Sequence, residues 1–316
     1  MQRFAAIFLV LAALATPAWS QHGGAGRPIR IVVPFSAGSA SDTVARILAD
    51  ELRDTFGTLI VDNRPGANGI IGASHVAKAA PDGGTLVLTS SSTHSGIGAL
   101  YKQPGYDPIA DFVHIARIAT IPMVLVTRPG APFKTAKELA AQARKGRLRY
   151  GYGSGSAQIA GATFSAIADA PSDAIPYKSQ PPAVTDLLGG QIDYLLADTS
   201  VVTTFLQGGR LGGLAITGPT RSAQLPAVPT MAEAGNKDFD LVVWVGLAAP
   251  AKTPPAVVAA WNQAIRRALD RPAVVAKLAR LGMVASPNTM AEHQAFTVAQ
   301  RDIWVSRATK AGVEQQ

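Results

Sequence analysis

The sequence predicts an α/β protein with two domains and a cleft between them. Short β-like apolar runs alternate with amphipathic helical patterns through most of the chain, as is typical of this class. Its 316 residues are enough for two domains. Two segments have the pattern of chain crossings between the domains. MVLVTRPGAP (123–132) would lead out of the first domain, and FDLVVWVGLAAP (239–250) would lead back to it. We therefore expect a two-segment hinge, with domain 1 at 21–125 and 243–316 and domain 2 at 126–242.

The first twenty residues have the organisation of a secretory signal peptide. Arg3 is a short basic start, residues 4–15 are apolar throughout, and Ala18-Trp19-Ser20 supplies the small residues before a cleavage site. The alternative, a membrane anchor, needs about 20 apolar residues, and the apolar run 4–15 is shorter than that. Because the chain has no cysteine, a lipid anchor, disulfides and thiolate metal sites are excluded. We expect cleavage after Ser20 and export to the periplasm of a Gram-negative bacterium.

The charge distribution argues against nucleic acid as a partner. The whole chain carries a formal charge of +8, and loss of Arg3 leaves 8 − 1 = +7. Only 16% of the residues are charged, and the sequence has no basic stripe with interleaved aromatic residues. This diffuse charge favours anionic solutes only mildly.

Ten strands are predicted from short apolar runs bounded by Gly, Pro, Asn and Ser. We expect them to form mostly parallel sheets, since most are separated by a helical pattern. They cover 29–33, 59–63, 85–89, 113–119, 123–127, 148–152, 174–177, 192–197, 214–217 and 241–249.

Helices are predicted where apolar residues recur at the i, i+3 and i+4 spacing. The clearest runs from Ser41 to Phe56, with Val44, Leu48 and Leu52 on one face and Gly57 at its end. Pro255 and Pro272 each begin a further helix, because proline is favoured in a first turn. The other predicted helices cover 70–80, 135–143, 158–168, 181–188, 199–207 and 291–310.

The stretch IRIVVPFSAGSASDT (29–43) predicts an anion site. A buried strand leads through a loop of small residues directly into a helix at Ser41. Small residues let a ligand approach the backbone closely, and a helix N-terminus presents unpaired N–H groups with a positive dipole end. The competing interpretation is a structural turn that uses small residues for packing. The residues alone leave these two interpretations open.

Several segments together resemble the Bug-type substrate-binding receptors of tripartite tricarboxylate transporters. They are PIRIVVPFSAGSASDTVAR, VDNRPGANGIIGASHVAKAAPDGGTLVL, YDPIADF, PYKSQPPAVTDLLGGQIDYLLAD, GRLGGLAITGPTRSAQLPAVPTMAEAG and WVGLAAPAKTP. They occur in the order of that family and cover nearly all of the mature chain. The resemblance implies a fold similar to type II periplasmic binding proteins, with a small mono- or dicarboxylate held between two domains.

The resemblance also implies a set of ligand contacts in both domains. In the first domain they are Phe35, Ser36, Ala37, Gly38, Ser39, Ala40 and Asp42, followed by Ser91, Ser92 and Thr93 after the third strand. In the second domain they are Gly153, Ser154, Gly155, Ser156, Gln158, Tyr177, Lys178 and Asp198.

The sequence departs from the family pattern at three places. Ser39 stands where a second glycine is usual, Ser179-Gln180 replaces a glycine pair, and the loop 151–158 is short and lacks a histidine. These departures affect the identity of the ligand rather than the receptor role.

Three of the implied contacts have a competing structural interpretation. Asp42 is an acidic residue of the kind that a helix dipole favours in a first turn, and this interpretation is slightly preferred. Asp198 follows an apolar strand, where cleft residues gather in α/β folds, but it is also placed to cap a helix. Lys178 is nearly as well explained as a solvated side chain.

Catalytic and cofactor motifs are absent from the sequence. Gly151 and Gly153 do not extend to G-x-G-x-x-G, no P-loop pattern occurs, and no serine lies in a G-x-S-x-G elbow. The five histidines are scattered and show no metal-ligand spacing. We therefore expect no catalysis, no cofactor and no metal.

The function expected from this resemblance is capture of a small organic acid by domain closure. The implied partners are that acid and the integral-membrane subunits of a transporter, with the receptor acting as a monomer and not binding nucleic acid. Two alternatives remain open, a carboxylate sensor feeding a two-component system and an enzyme that uses the same cleft.

Overall fold

The computed structural model describes residues 27–239 and 241–316. The expected signal peptide at 1–20 lies outside the described residues. The strands are β1 (Ile29–Val33), β2 (Leu59–Asn63), β3 (Thr85–Ser90), β4 (Phe112–Ile121), β5 (Met123–Thr127), β6 (Leu148–Tyr152), β7 (Ser172–Pro176), β8 (Tyr194–Asp198), β9 (Gly212–Ile216), β10 (Val243–Pro250) and β11 (Val284–Ala285). The ten predicted strands are all present, four of them (β1, β2, β5 and β6) with the predicted bounds and six with shifted ends, and the short β11 was missed.

These strands form two sheets. The first has the order β11-β4-β10-β3-β1-β2 and the second the order β7-β6-β8-β5-β9. We call each sheet with the helices packed on it a lobe, the first lobe and the second lobe. The expectation of mostly parallel sheets is wrong, because five of the nine described strand pairs are antiparallel. Strands β5 and β10, which lie in the two predicted crossing segments, account for four of the five antiparallel pairs. Each lies antiparallel between two neighbours.

The helices are α1 (Ala40–Glu51), α2 (Arg53–Phe56), α3 (Ile70–Ala77), α4 (Ile97–Leu100), α5 (Ala136–Lys145), α6 (Gly155–Ile167), α7 (Gln180–Leu188), α8 (Thr199–Gln207), α9 (Pro255–Leu269), α10 (Pro272–Arg280) and α11 (Met290–Lys310). A 3₁₀ turn covers Ala67–Gly69 and a π-helical turn covers Ser91–Ser95. The predicted 41–56 helix breaks at Leu52. Helix α6 begins three residues before its predicted start at Gln158.

The chain changes sheet at two places. Strand β4 ends at Ile121 in the first sheet, and β5 begins at Met123 in the second. The carbonyl of the intervening Pro122 accepts a hydrogen bond from the backbone N–H of Thr199, over 2.9 Å. After β9 the chain returns to the first sheet as β10.

The core lies on both faces of the first sheet and continues into the second lobe. Strand β10 is buried along its whole length, and Trp244, Trp261 and Trp304 are each at most 1% exposed. The Phe56 ring stacks on Trp261 with centroids 3.9 Å apart, so α2 is fixed against α9. Among the described residues, no helix combines the length and the apolar character needed to cross a membrane.

Candidate functional site

A pocket with an empty volume of about 340 Å³, its open mouth included, lies between the two lobes. The first lobe contributes Phe35, Ser39, Ala40, Ser41, Ser90, Ser92, Val243 and Val245. The second lobe contributes Gly153, Ser154, Ser156, Ser179, Gln180 and Asp198.

Five of these residues are each the N-cap of a helical segment. Ser39 precedes α1, Ser90 precedes the π-helical turn, Ser154 precedes α6, Ser179 precedes α7 and Asp198 precedes α8. Each lies at or shortly after the carboxyl end of a strand, which is where α/β folds gather their ligand contacts. Five helical N-termini from two lobes therefore converge on one pocket.

Three of these five N-cap residues, Ser39, Ser90 and Ser154, use their side-chain hydroxyls to cap their own helical segments. Ser39 Oγ accepts from the Asp42 N–H over 3.2 Å, and Ser154 Oγ accepts from Ala157 over 3.2 Å. Ser90 forms a reciprocal capping box with Thr93. A capping hydroxyl satisfies only one of the several unpaired N–H groups at a helix start, so the others can bind an anion.

Ser179 and Asp198 differ, because neither side chain caps its helix. Ser179 is fully buried and Asp198 is 7% exposed. Ser179 Oγ and Asp198 Oδ1 have no hydrogen-bond partner among the described residues. Buried polar atoms are normally paired, so two unpaired ones in the same pocket are unusual.

Asp198 is the one ionisable side chain among the described lining residues. Burial raises the pKa of its carboxyl group to about 7, although the neighbouring Gln180 side chain acts to lower it. Its backbone N–H donates to Gln180 Oε1 over 2.8 Å, which ties the start of α8 to the start of α7. No Lys, Arg or His is among the described lining residues, so positive potential for an anion comes from N–H groups and helix dipoles.

Eight of the eighteen residues implied by the family resemblance line the pocket. They are Phe35, Ser39, Ala40, Ser92, Gly153, Ser154, Ser156 and Asp198. The remaining ten lie outside its lining.

Asp42 holds the first loop in shape and does not line the pocket. Its carboxylate accepts hydrogen bonds from the Gly38 N–H over 2.9 Å, from Asn63 Nδ2 over 2.9 Å and from two Arg46 nitrogens over 3.0 Å. Burial acts to raise the pKa of Asp42, but the bonds from Arg46, Gly38 and Asn63 outweigh it and lower the pKa. The remaining loop residues also lie outside the lining, with Ser36 half-buried and Ala37 and Gly38 exposed.

Ser91 and Thr93 are buried structural residues of the π-helical turn. Ser91 Oγ accepts from the backbone N–H of Trp244 over 2.9 Å, which joins the turn to β10. Thr93 completes the capping box with Ser90 and lies 2.9 Å from His94 Nδ1. Both residues therefore hold the π-helical turn in place and do not line the pocket themselves.

Tyr177 and Lys178 do not line the pocket. The Tyr177 hydroxyl donates to Asp186 over 2.8 Å, and Lys178 is exposed. The cleft lies one residue further along the chain, at Ser179 and Gln180, because these two form the start of α7.

Gly155 and Gln158 connect the lobes. The Gly155 N–H donates to Ser92 Oγ over 2.8 Å, and Gln158 Oε1 accepts from Asn68 Nδ2 over 3.1 Å. Asn68 has φ +54° and is therefore in the left-handed region, which few non-glycine residues adopt. We call these two hydrogen bonds the interlobe latch. The two lobes therefore touch through this latch at one edge of the cleft.

Six lining residues were not among the sequence-based site residues, namely Ser41, Ser90, Ser179, Gln180, Val243 and Val245. A signal for Ser90 and Ser179 was present, since each is a small polar residue between a strand and a helix. Val243 and Val245 gave no such signal, because their role depends on where β10 returns to the first sheet. Among the described residues, no group of His, Cys, Asp and Glu is arranged to hold a metal ion.

The chain is similar to known proteins in both sequence and fold. Residues 44–308 match the family model described as "Tripartite tricarboxylate transporter family receptor". Protein BugT of Bordetella pertussis is 34% identical over 314 residues, which is 98% of this chain and 96% of BugT.

Two solved structures with bound ligands are similar over most of their length. R. palustris Rpa4515 with adipate has a TM-score of 0.89 at 29% identity, covering 92% of this chain and 99% of that one. MatC from Rhodopseudomonas palustris with bound malate has a TM-score of 0.86 at 30% identity, covering 90% and 99%. The chain therefore belongs to the tripartite tricarboxylate transporter receptor family of periplasmic solute-binding proteins.

Proposed function

We propose that this receptor binds a small organic acid in the interlobe pocket and releases it unchanged to a membrane transporter. The observation that carries the proposal is the convergence of five helical N-termini on a pocket without a basic lining residue. Backbone N–H groups at helix starts bind carboxylate oxygens through charge-assisted hydrogen bonds, which are about twice as strong as neutral ones.

The rest of the lining suits a short carbon chain. Phe35, Val243 and Val245 supply apolar contact on the first-lobe side. The relatives with bound adipate and malate support a carboxylic acid as the ligand class. We propose no chemical conversion, since the pocket offers binding groups but no nucleophile with an adjacent base among its described residues.

The proposal also covers the export of the protein, its partners and the closure of its domains. Residues 1–20 direct export and are removed, and the mature protein works as a monomer in the periplasm with integral-membrane transporter subunits. Closure takes place between a domain formed by 21–125 with 243–316 and a domain formed by 126–242. The interlobe latch is one contact that such a closure brings together.

A thermal-shift screen tests the ligand class. Protein lacking residues 1–20 is refolded to remove bound ligand and heated with organic acids, amino acids, aromatic carboxylates and neutral solutes of similar size. A ligand at a hundred times its Kd stabilises the native state by about 2.7 kcal/mol. Shifts confined to carboxylates support the proposal, whereas shifts from neutral solutes alone contradict it.

Ala40→Pro tests whether backbone N–H groups bind the anion. Ala40 is the first residue of α1, where proline is well tolerated, and Ser39 before it has φ −72° and ψ 163°, which is compatible with a following proline. The substitution removes one N–H at the pocket, so we expect a loss of affinity of about tenfold or more. Ala136→Pro, at the first residue of α5 and outside the pocket, is the matched control. Equal affinity in both variants would contradict the proposed role of α1.

A further inference from the structure

The second lobe places an acceptor-rich corner in the pocket. This acceptor corner consists of Ser179, Gln180 and Asp198, at the starts of α7 and α8. The helix starts elsewhere in the pocket have serine caps engaged with their own backbone. The acceptor corner has two side-chain oxygens without a partner among the described residues, Ser179 Oγ and Asp198 Oδ1.

A capping role does not account for Asp198. The residue occupies the N-cap position of α8, yet its side chain makes no capping hydrogen bond, and the nearby Thr199 hydroxyl is engaged with the Gly282 carbonyl. Gln180 Oε1 is already occupied by the Asp198 N–H. A carboxylate oxygen buried beside the cleft therefore lacks a donor from the described protein groups, and leaving such an atom unpaired is unfavourable.

The charge of this corner also restricts the ligand. Helix N-termini on both lobes attract one carboxylate, but an ionised Asp198 repels a second carboxylate brought next to it. An O–H or N–H group of the ligand would instead satisfy Asp198 Oδ1, and the Ser179 hydroxyl can either donate to or accept from the same group.

On the basis of the proposed function, we propose that Asp198 and Ser179 form a subsite for a hydrogen-bond donor on the ligand. This receptor therefore selects small carboxylic acids that carry a hydroxyl or ammonium group over acids of the same length that carry neither. Asp198 is the specificity-determining residue, because a site with a buried acceptor rejects analogues that leave it unpaired.

The experiment compares matched acids by calorimetry with ligand-free protein at pH 8. Because burial raises the pKa of Asp198 to about 7, most of the carboxyl group is ionised at this pH. The series are propionate, lactate and alanine; succinate, malate and aspartate; and glutarate, 2-hydroxyglutarate and glutamate. In at least one series we expect the hydroxy or amino acid to bind at least tenfold more tightly than the acid without a donor. A hydroxy acid that binds best identifies an O–H donor, and an amino acid that binds best identifies an ammonium group.

Two variants connect the preference to the acceptor corner. Asp198→Asn and Ser179→Ala should each reduce the preference to less than threefold. Ser179→Ala keeps the test decisive if Asp198→Asn fails to fold. Asp169→Asn is the control, since Asp169 is 82% exposed and its φ of +48° is one that asparagine adopts readily. This control should retain the preference of the native protein.

The outcomes separate this inference from the proposed function. If in every series the acid without a donor binds within tenfold of its tighter-binding partner, or if both variants retain the full preference, the inference is overturned and the carboxylate receptor stands. If none of the nine acids binds while other carboxylates do, the inference is overturned as well. If no carboxylate binds at all, the proposed function itself fails.

Discussion

The backbone N–H of Gly155 in the second lobe donates to the side-chain oxygen of Ser92 in the first, over 2.8 Å. The same Ser92 hydroxyl donates to the Asn68 carbonyl over 3.0 Å. Asn68 in turn bonds to Gln158 through its side chain, so both latch bonds pass through one short segment of the first lobe. This contact between the lobes therefore consists of neutral hydrogen bonds, which water can replace when the lobes separate.

Gln158→Ala should favour the open state. Gln158 does not line the pocket, so the substitution removes a latch bond without removing a ligand contact. A neutral hydrogen bond contributes about 1 kcal/mol, which corresponds to an affinity loss of up to about fivefold. Small-angle scattering should show a larger radius of gyration in the ligand-free variant and an unchanged one at saturation. The exposed Gln191→Ala is the control, and identical curves for both variants would rule out a role of the latch in closure.

Asp42→Asn should destabilise the protein and weaken ligand binding. The substitution places an amide where four hydrogen-bond donors meet, and we expect a loss of about 1–3 kcal/mol in the free energy of unfolding at pH 7. The folded pKa of Asp42 is lowered, so its contribution is present above the unfolded value of 3.8 and is lost as the pH falls through the folded pKa. Urea unfolding should therefore show a gap between variant and native protein that narrows at low pH.

The surface ion pair of Asp50 with Arg53 provides the control for that measurement. Both side chains are 68% exposed, so Asp50→Asn should change the free energy of unfolding by less than about 0.5 kcal/mol at any pH. A gap of equal size for the two variants would contradict the role given to Asp42.

Asp198→Asn should make the ligand-free protein more stable at pH 8 relative to the native sequence. The folded pKa of Asp198 is raised from 3.8 to about 7, so the favourable contribution of its proton is present below about pH 4 and is lost as the pH rises towards 7. The variant carries no titrating group at this position. Its advantage in the free energy of unfolding should grow by about 2 kcal/mol between pH 5 and pH 8. An advantage that does not change with pH would mean that the carboxyl group titrates normally.

Gly153→Ala should remove the pocket. A Cβ atom on Gly153 would lie 2.0 Å from the Ser179 carbonyl carbon and 2.3 Å from the Gln180 nitrogen, both of which are backbone atoms. The starts of α6 and α7 would have to separate, at a cost of about 1–3 kcal/mol or more. We expect a lower Tm and at least a tenfold loss of affinity. Gly98→Ala, where a Cβ meets nothing within 4 Å, should bind ligand normally.

Much of the fold could be predicted from the sequence because its signals are local. Apolar runs and helical periodicity located ten strands and most helices, and Gly57 marked the end of the first predicted helical segment. The antiparallel pairs could not be predicted in this way. Strand direction inside a sheet depends on where a crossing strand such as β10 inserts, which is a long-range property.

The site was predictable where a single loop carries the chemistry and was missed where two lobes must meet. Ser39 and Ser154 follow strands in small-residue loops, and both line the pocket. Gln158 lies just after the Ser154 loop in sequence and Tyr177 directly follows β7, yet Gln158 joins the lobes and Tyr177 bonds to Asp186. Val243 comes from a strand that reads as core and lines the pocket only because of its position after the return crossing.

The convergence of helix starts on this pocket has a consequence for how such a receptor diversifies. Main-chain N–H groups persist through almost every amino-acid replacement, so most substitutions that keep the backbone in place also keep these donors for the anionic end of a ligand. Side chains at the acceptor corner, in contrast, can change one at a time while the backbone N–H donors stay in place. Receptors with this arrangement can therefore change from one ligand to another by single substitutions, while the binding of an acid group is kept.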